Sequence, residues 1–160
     1  MAQARLPLSY QRLGVPEPLK GRFVVLSLYL FAVLHRLKGV GGQEAATASA
    51  MAHALSDRFA ADMETVLREI GTGDLAVPKK VRKLVAEGAG LLEGYERAVA
   101  AGGDALESAI ADALPLDDGA APAASAKLTP YLNEALQELS AQRLEAICAG
   151  RVRFPEISDE

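Results

Sequence analysis

The chain has 160 residues, a formal net charge of −4, an apolar fraction of 50%, an aromatic fraction of only 5% and no tryptophan. This length suits one domain, and an alanine-rich composition with few aromatic residues favours packed helices over a sheet. The negative charge excludes a globally basic nucleic-acid-binding protein, so we expect no binding to DNA. We therefore predict an all-α fold, a single-domain antiparallel helical bundle of about five to six helices that spans residues 1–160.

The first 20 residues are predicted to form a short N-terminal helix that ends near Gly14, followed by a proline-containing hinge, "VPEPLKG". A very apolar helix then covers residues 21–38. Its run "FVVLSLYLFAVL" is shorter than the ~20 residues that cross a bilayer. We interpret it as the central core helix, and the alternative is that part of it lines a groove for an apolar partner.

Two further helices are predicted to form an antiparallel hairpin around the short connection "GTGD". Apolar residues at spacings of three and four mark the inner face of each. In the first helix, which starts at Ala45, they are Met51, Leu55, Phe59, Met63, Val66, Leu67 and Ile70. In the second helix, which starts at Pro78, they are Val81, Leu84, Val85, Gly88, Leu92, Tyr95 and Val99. Gly88 and Gly90 are predicted to allow close approach of another helix.

The C-terminal part is predicted to contain two more helices. Asp104 and Glu107 have the spacing of a capping box, which indicates a helix of about three turns. A loop over residues 115–126 precedes a last helix, which starts near Thr129 and Pro130 and ends at Gly150. The residues predicted to face inward are Leu128, Leu132, Ala135, Leu136, Leu139 and Ile147. Residues 150–160 are predicted to form a docked tail.

Four positive charges crowd the predicted start of the second hairpin helix, although helix N-termini prefer acidic residues. We call this group the basic corner: Lys79, Lys80, Arg82 and Lys83. Our hypothesis is that the basic corner faces an acidic partner surface and that Asp74 orders it. The alternative is that the four side chains are solvated and neutralised by Asp74 and Glu69.

The tail is a second candidate for partner contact, because Arg151, Arg153 and Phe154 alternate charge with aromatic character. The alternative for Phe154 is that its ring docks onto the bundle.

Catalytic and metal-ligating residues are few. His35 and His53 lie on different predicted helices without a paired ligand, and Cys148 is the single cysteine. Their ordinary roles are a helix-end histidine, a surface histidine and a small packed cysteine. We predict no enzyme activity, no metal site and no cofactor. The weakest alternatives are a catalytic pair of Asp57 with Asp62 or Glu64, and haem ligation by a histidine with Met51 or Met63.

Four stretches in this order carry a family resemblance: "YQRLGVPEPLKGRF", "LHRLK" at the end of the apolar helix, "FAADMETVLREIGTGDLAVPKKVRKL" and "GRVRFPE". Together they resemble the ubiquinol-cytochrome c chaperone family, the bacterial relatives of mitochondrial factors that assist cytochrome b biogenesis. The resemblance spans residues 2–155. It implies an all-helical, non-enzymatic assembly factor that holds newly made cytochrome b before it joins the respiratory complex. It also implies a further N-terminal helical stretch before the segment at Ala2.

A different function class is a peripheral membrane or ribosome-associated adaptor that binds anionic lipid or RNA through the basic corner. The lone cysteine and the absence of a signal-peptide pattern predict a cytoplasmic protein. A factor that receives a nascent membrane protein is expected at the ribosome or at the cytoplasmic face of the inner membrane. The oligomeric state is left open by the sequence.

Overall fold

The computed structural model describes residues 19–116 and 119–156, in which all regular structure is helical. In chain order the elements are α1 (Leu19–Lys38), a 3-10 turn (Gly42–Glu44), α2 (Ala45–Glu69), α3 (Val77–Ala101), α4 (Ala105–Ala113), α5 (Ala121–Ala141) and α6 (Leu144–Cys148). Six α-helices and no strand within these ranges confirm the all-α prediction. The predicted N-terminal helix and hinge lie outside the described residues up to residue 18, as do tail residues 157–160.

Helix α1 is the centre of the bundle and packs against α2, α3 and α5. Every residue from 23 to 34 is buried or half-buried, and the Phe31 ring lies 5.5 Å from the Tyr95 ring of α3. The cavity between α1 and α5 measures about 10 Å³, room for about one water molecule. These observations confirm the central core helix and exclude a partner groove at this cavity.

No helix within the described residues carries an apolar stretch long enough to cross a bilayer.

Helices α2 and α3 form the predicted hairpin, and α1 lies against both of its arms. At Gly88 the three helices pack closely, because a Cβ atom there would lie 3.5 Å from the rings of Phe23 and Phe59, which is an ordinary van der Waals distance that an alanine would also tolerate. At Gly90 a Cβ atom would meet nothing within 4 Å. The close approach predicted for Gly88 is therefore confirmed, and that predicted for Gly90 is wrong.

The apolar stripes of the hairpin are correct except near its turn. Ile70 is 55% exposed and Val85 is 36% exposed, although both were predicted to face inward. Ile70 follows the last helical residue of α2, where the chain leaves the helix. Val85 lies at the edge of its stripe when residues are placed 100° apart. Position in the fold therefore overrides the periodic pattern at this end of the hairpin.

The predicted last helix is two helices with an earlier start. Helix α5 begins at Ala121, inside the predicted loop, and Pro130 lies within it. Pro122 occupies its first turn, where a missing N–H costs little. Residues 142 and 143 are extended and separate α5 from α6. Four of the five residues predicted to face inward in α5 are buried, as is the one in α6: Leu128, Leu132, Ala135, Leu139 and Ile147.

The predicted capping box of α4 is wrong. Asp104 stands at the start of the helix, but its side chain makes no capping hydrogen bond.

Candidate functional site: the basic corner

The α2–α3 turn is held by backbone hydrogen bonds. Gly71 has a φ of 81°, and the N–H groups of Gly71 and Thr72 each donate over 3.0 Å to carbonyls in the last turn of α2. This is the common glycine-terminated end of a helix, in which a left-handed residue redirects the chain. On the other side, the N–H of Ala76 donates to the Gly73 carbonyl over 2.8 Å. The turn therefore fixes where the first residues of α3 stand.

All four side chains of the basic corner are exposed on the first two turns of α3. With 100° per residue they cover about half of the helix circumference, opposite the buried residues Val77 and Gly88. The first turn of α3 contains no acidic residue. The structure therefore presents the four cations together on one side of the helix.

Two of the four cations have weak intramolecular partners. Lys80 Nζ donates to Thr72 Oγ1 over 3.3 Å, and Lys83 Nζ lies 3.7 Å from Glu87 Oε1. Within the described part of the chain, the other two cations of the basic corner form no ion pair. Exposed pairs of this kind contribute about 0–1 kcal/mol to stability. The basic corner thus has little role in holding the fold together.

Asp74 forms its ion pair with Arg68 of α2, which also pairs with Glu64 over 2.9 Å. It therefore ties the turn to the last helical turn of α2, as expected of a residue that orders this region. Among the described residues, neither Asp74 nor Glu69 forms an ion pair with the basic corner. The four cations are exposed to solvent, as the alternative expects, but these two carboxylates do not pair with them, and partner contact at the basic corner stays a prediction.

Two apolar side chains at the same turn are exposed and were not predicted to belong to a site. Leu75 is 100% exposed, and Ile70 is 55% exposed. Leu75 belongs to neither helical stripe and lies four residues before Lys79. The signal available in the sequence was an apolar residue, Leu75, in the short connection between Gly71 and Pro78. We call Ile70 and Leu75 the apolar tip.

The tail is docked on the bundle. The Phe154 ring packs edge-on against Tyr29 of α1 at 4.9 Å. The Gln142 side chain accepts from the N–H of Arg153 over 2.9 Å and donates to its carbonyl over 2.8 Å. The Arg151 and Arg153 side chains are exposed. Asp74 and the basic corner thus lie together on the hairpin. The three tail residues lie elsewhere, against α1 and the end of α5. Partner contact at the tail stays a prediction.

A second group of charged and polar side chains joins the end of α1 to α3 and α5, and sequence reasoning missed it. We call it the polar cluster: His35, Arg36, Lys38, Glu96 and Gln142. Arg36 donates from Nε to the Leu139 carbonyl over 2.9 Å and from Nη2 to the Gln142 carbonyl over 3.0 Å. These carbonyls stand at the C-terminal end of α5, where helix carbonyls lack partners within the helix. A cation is favourable at that position.

Glu96 receives two contacts from the end of α1. Its Oε2 lies 2.9 Å from His35 Nδ1, and its Oε1 accepts from Lys38 Nζ over 2.9 Å. Partial burial acts to raise the pKa of Glu96, but the hydrogen bonds and charges of His35 and Lys38 outweigh it and lower the pKa below its usual value. Glu96 is therefore ionised at neutral pH and connects α3 to α1.

The Tyr95 side chain is buried between α1 and α3, and only 1% of the residue is exposed. Its hydroxyl has no hydrogen-bond partner among the described residues. Burial raises the pKa of this hydroxyl well above its usual value, so Tyr95 is neutral at physiological pH.

The residues considered for catalysis, metal binding or haem ligation make ordinary structural contacts. His53 is exposed and its Nδ1 lies 2.8 Å from the Ser49 carbonyl. Met63 is buried beside Leu30, and Cys148 is half-buried in α6. No group of three or more metal-ligating side chains occurs in residues 19–116 or 119–156.

Comparisons with known proteins place these features in context. A family model described as ubiquinol-cytochrome C chaperone matches residues 11–154, which include the hairpin turn and the tail up to Phe154. The crystal structure of the Cbp3 homolog from Brucella abortus is similar over 97% of this chain and 83% of that chain. The TM-score is 0.81 and the sequence identity is 32%. No match was found among curated proteins.

Proposed function

The chain belongs to the ubiquinol-cytochrome C chaperone family, and from this premise we propose that it binds newly made cytochrome b during assembly of ubiquinol-cytochrome c reductase. The observation that carries the proposal is the family match over residues 11–154 together with the structural similarity over 97% of the chain. We further propose that the chain works at the cytoplasmic face of the inner membrane, where a new membrane protein leaves the ribosome.

We propose a non-enzymatic role. His35 is engaged with Glu96, Met63 fills the core, and the described residues hold no cluster of metal ligands. These surroundings support a protein that acts by binding, as the family description implies. A chaperone needs accessible contact groups on a stable scaffold, and the well-packed bundle with its exposed basic corner suits this role.

We place the partner contacts at Asp74 with the basic corner and, second, at Arg151, Arg153 and Phe154. The cations of the basic corner are exposed, face one side and contribute little to the fold. An anionic partner surface complements such a group, and charge complementarity chiefly sets association rate and specificity. The exposed arginines of the tail have the same character.

The client is tested by capture from the source cell. The tagged chain is purified from detergent-solubilised membranes, next to a tagged helical protein of another family, and cytochrome b is quantified by mass spectrometry. We expect cytochrome b with this chain only, and loss of the mature reductase when the gene is deleted. Equal recovery with both baits, or a normal amount of reductase in the deletion strain, would contradict the proposal.

The role of the tail is tested in the same capture with the variant Arg151→Glu/Arg153→Glu. Both side chains are exposed, so the fold is expected to survive, and circular dichroism checks this. A fall in recovered cytochrome b supports partner contact at the tail. Unchanged recovery limits the tail to its docking on Tyr29 through Phe154.

An adaptor that binds anionic lipid or RNA is the second candidate, and the exposed apolar tip beside the basic corner is the observation that favours its lipid form. Such an adaptor would show steep salt dependence and little client selectivity. The capture experiment separates the two candidates, because only a chaperone selects cytochrome b over other membrane proteins.

A further inference from the structure

We propose that the α2–α3 turn docks the protein on an anionic lipid bilayer, with the apolar tip in the interfacial layer and the basic corner against the headgroups. The proposal rests on the membrane location proposed above and deepens it, because it assigns the basic corner to the bilayer and leaves the tail as the proposed contact for cytochrome b. It rests on the charge distribution, on the exposure of the tip and on the rigidity of the turn.

The charge distribution allows one orientation on a negative surface. The basic corner contributes four positive charges to a net charge of −4, so the rest of the chain carries −8. From residue 70 to residue 84 the only carboxylate is Asp74, and Arg68 engages it. Because charges act over about 10 Å at 0.1 M salt, an anionic bilayer attracts this turn and repels most of the remaining surface.

The apolar tip explains why the partner is a bilayer. A single exposed leucine is ordinary in a folded protein, but here two large aliphatic side chains stand at one turn directly before four cations. Leu75 is 100% exposed, so no part of its side chain is covered by the fold. Interfacial membrane-binding segments combine these features, with apolar side chains at the acyl boundary and lysine or arginine at the headgroups.

The turn is held in place before it meets a membrane. Backbone bonds to Gly73, the left-handed Gly71 and the Arg68–Asp74 ion pair fix its path. Docking therefore orders few additional residues, which lowers the entropic cost of binding.

RNA and an acidic protein fit the same surface less well. Single-stranded RNA is bound by cations together with aromatic side chains on which bases stack, and residues 64–87 contain no aromatic residue. Neither phosphate nor carboxylate groups give Leu75 an apolar environment. A bilayer with anionic lipid supplies both an apolar environment for Leu75 and negative charge for the basic corner.

The test is vesicle flotation with the purified full chain. Vesicles of phosphatidylcholine alone are compared with vesicles that contain about 30% phosphatidylglycerol as the anionic lipid. We expect binding to the anionic vesicles only, and weaker binding as salt is raised. Each basic residue near the surface contributes about a factor of five, so Lys79→Gln/Lys80→Gln/Arg82→Gln/Lys83→Gln is expected to lower the partition coefficient by roughly 100-fold or more.

The matched control removes four exposed cations elsewhere: Arg58→Gln/Arg97→Gln/Lys127→Gln/Arg143→Gln. Both variants have a net charge of −8, since each removes four positive charges from −4. The control is expected to keep most of the binding. Equal loss in the two variants would mean that total charge, and not the basic corner, governs binding, which would overturn the proposal.

Insertion of the tip is tested separately. Leu75→Ser is expected to weaken binding by roughly tenfold, whereas Val85→Ser on the flank of α3 is expected to change it little. The chain has no tryptophan, so Leu75→Trp creates a single tryptophan whose emission can be followed. Its emission should shift to the blue on anionic vesicles and be quenched by brominated lipid, and that of Ala100→Trp should not.

The outcomes separate this proposal from the client proposal. A Leu75→Trp emission that does not shift to the blue on anionic vesicles would overturn the bilayer proposal. So would a chain that does not bind vesicles but binds a single-stranded RNA, if Leu75→Ser leaves the RNA binding intact. In detergent, where no bilayer exists, the variant of the basic corner should still capture cytochrome b. Loss of capture in detergent would mean that the basic corner contacts the client, and this would also overturn the bilayer proposal. If the wild type itself fails to capture cytochrome b, the client proposal fails and the vesicle result still stands.

Discussion

The polar cluster and the basic corner both contain several cationic side chains, but their surroundings differ. In the polar cluster, Arg36 donates to two carbonyls of α5, and Glu96 accepts from Lys38 of α1. In the basic corner the cations are exposed, and the ion pair that Lys83 forms with Glu87 is long and solvated. A hydrogen bond from a charged group to a partly buried acceptor contributes about 1.5–3 kcal/mol, whereas an exposed pair contributes about 0–1 kcal/mol.

The comparison shows that residue type alone does not determine whether a cationic side chain stabilises the fold or remains available for contact. The polar cluster supplies charged donors to carbonyls at the C-terminal end of α5 and pairs Glu96 with the end of α1, so its side chains stabilise the bundle. The basic corner satisfies almost nothing within the chain, so its side chains are available for contact. Five variants follow, from the largest expected effect to the smallest; four of them test this contrast, and Tyr95→Phe extends it to a buried polar group beside the polar cluster.

Arg36→Met should give the largest effect. The substitution keeps an apolar side chain of similar length but removes the Arg36 donors, so that the Leu139 carbonyl keeps only the bond from the Gln142 N–H over 3.2 Å. We expect the free energy of unfolding to fall by about 2–3 kcal/mol, measured by urea denaturation. The matched substitution Arg82→Met in the basic corner should change it by less than about 0.5 kcal/mol. Similar losses of unfolding free energy in the two variants would mean that the polar cluster and the basic corner do not differ in their role in stability.

Gln142→Leu should release the tail. Gln142 is only 7% exposed, and its side chain makes two hydrogen bonds with the main chain of Arg153. Their loss is expected to lower the free energy of unfolding by about 1–2 kcal/mol. Trypsin should then cleave faster after Arg151 and Arg153, as followed by mass spectrometry. The exposed Gln137→Leu serves as control, and an unchanged cleavage rate in Gln142→Leu would argue against the docking.

Tyr95→Phe should stabilise the protein. The Tyr95 hydroxyl is buried and has no hydrogen-bond partner among the described residues, so its removal avoids a desolvation cost. The free energy of unfolding is expected to rise by about 1 kcal/mol. A loss of the same size would show that the hydroxyl is satisfied in solution, and the thermal midpoint should move in the same direction as the urea result.

Glu96→Gln should give a smaller effect that depends on pH. The pKa of Glu96 is lowered in the folded protein, so its ionised form contributes stability above the pKa of the unfolded chain, and this contribution is lost as the pH falls through the folded value. Because Glu96 is partly exposed, we expect a loss of about 0.5–1 kcal/mol at pH 7. Urea unfolding in steps from pH 7 down to about pH 3 should show this difference shrinking; a constant difference would refute the ion pairing.

Replacing all four residues of the basic corner by glutamine should change stability least. The expected change is within about 0.5 kcal/mol, with the sign towards stabilisation, since cations near a helix N-terminus are unfavourable. Urea denaturation measures it, with the quadruple control at Arg58, Arg97, Lys127 and Arg143 beside it. A loss above about 1 kcal/mol would mean that the basic corner holds the fold together.

Much of the architecture could be predicted from the sequence. The long α1, the α2–α3 hairpin and the inward residues of α5 follow from apolar spacing, because a helix buries one face and the pattern is local. The exposure of the basic corner followed from the same wheel. The start of α5 was missed because Pro122 and its alanine neighbours resemble a loop in the sequence, whereas in the fold α5 packs against α4 and Ala121 and Ala124 are buried.

The candidate site was predicted only in part. Four cations at a helix start are visible in the sequence, but the pairing of Asp74 with Arg68 depends on how the turn folds back. The exposure of Leu75 likewise depends on how the helices of the described residues pack, because none of them covers this side chain. The polar cluster was out of reach because Arg36 meets its acceptors more than 100 residues later in the chain.

The sequence by itself determined the helical class, the central apolar helix, the hairpin and the resemblance to a chaperone family, because periodicity and ordered motifs are written along the chain. Only the tertiary structure decided which charges are used inside the molecule and which are left on its surface. The physical reason is that a side chain's hydrogen bonds and burial depend on the helices packed beside it. Arg36 and Arg82 are the same residue type, and the surrounding helices alone make one a stabilising contact and the other an exposed charge.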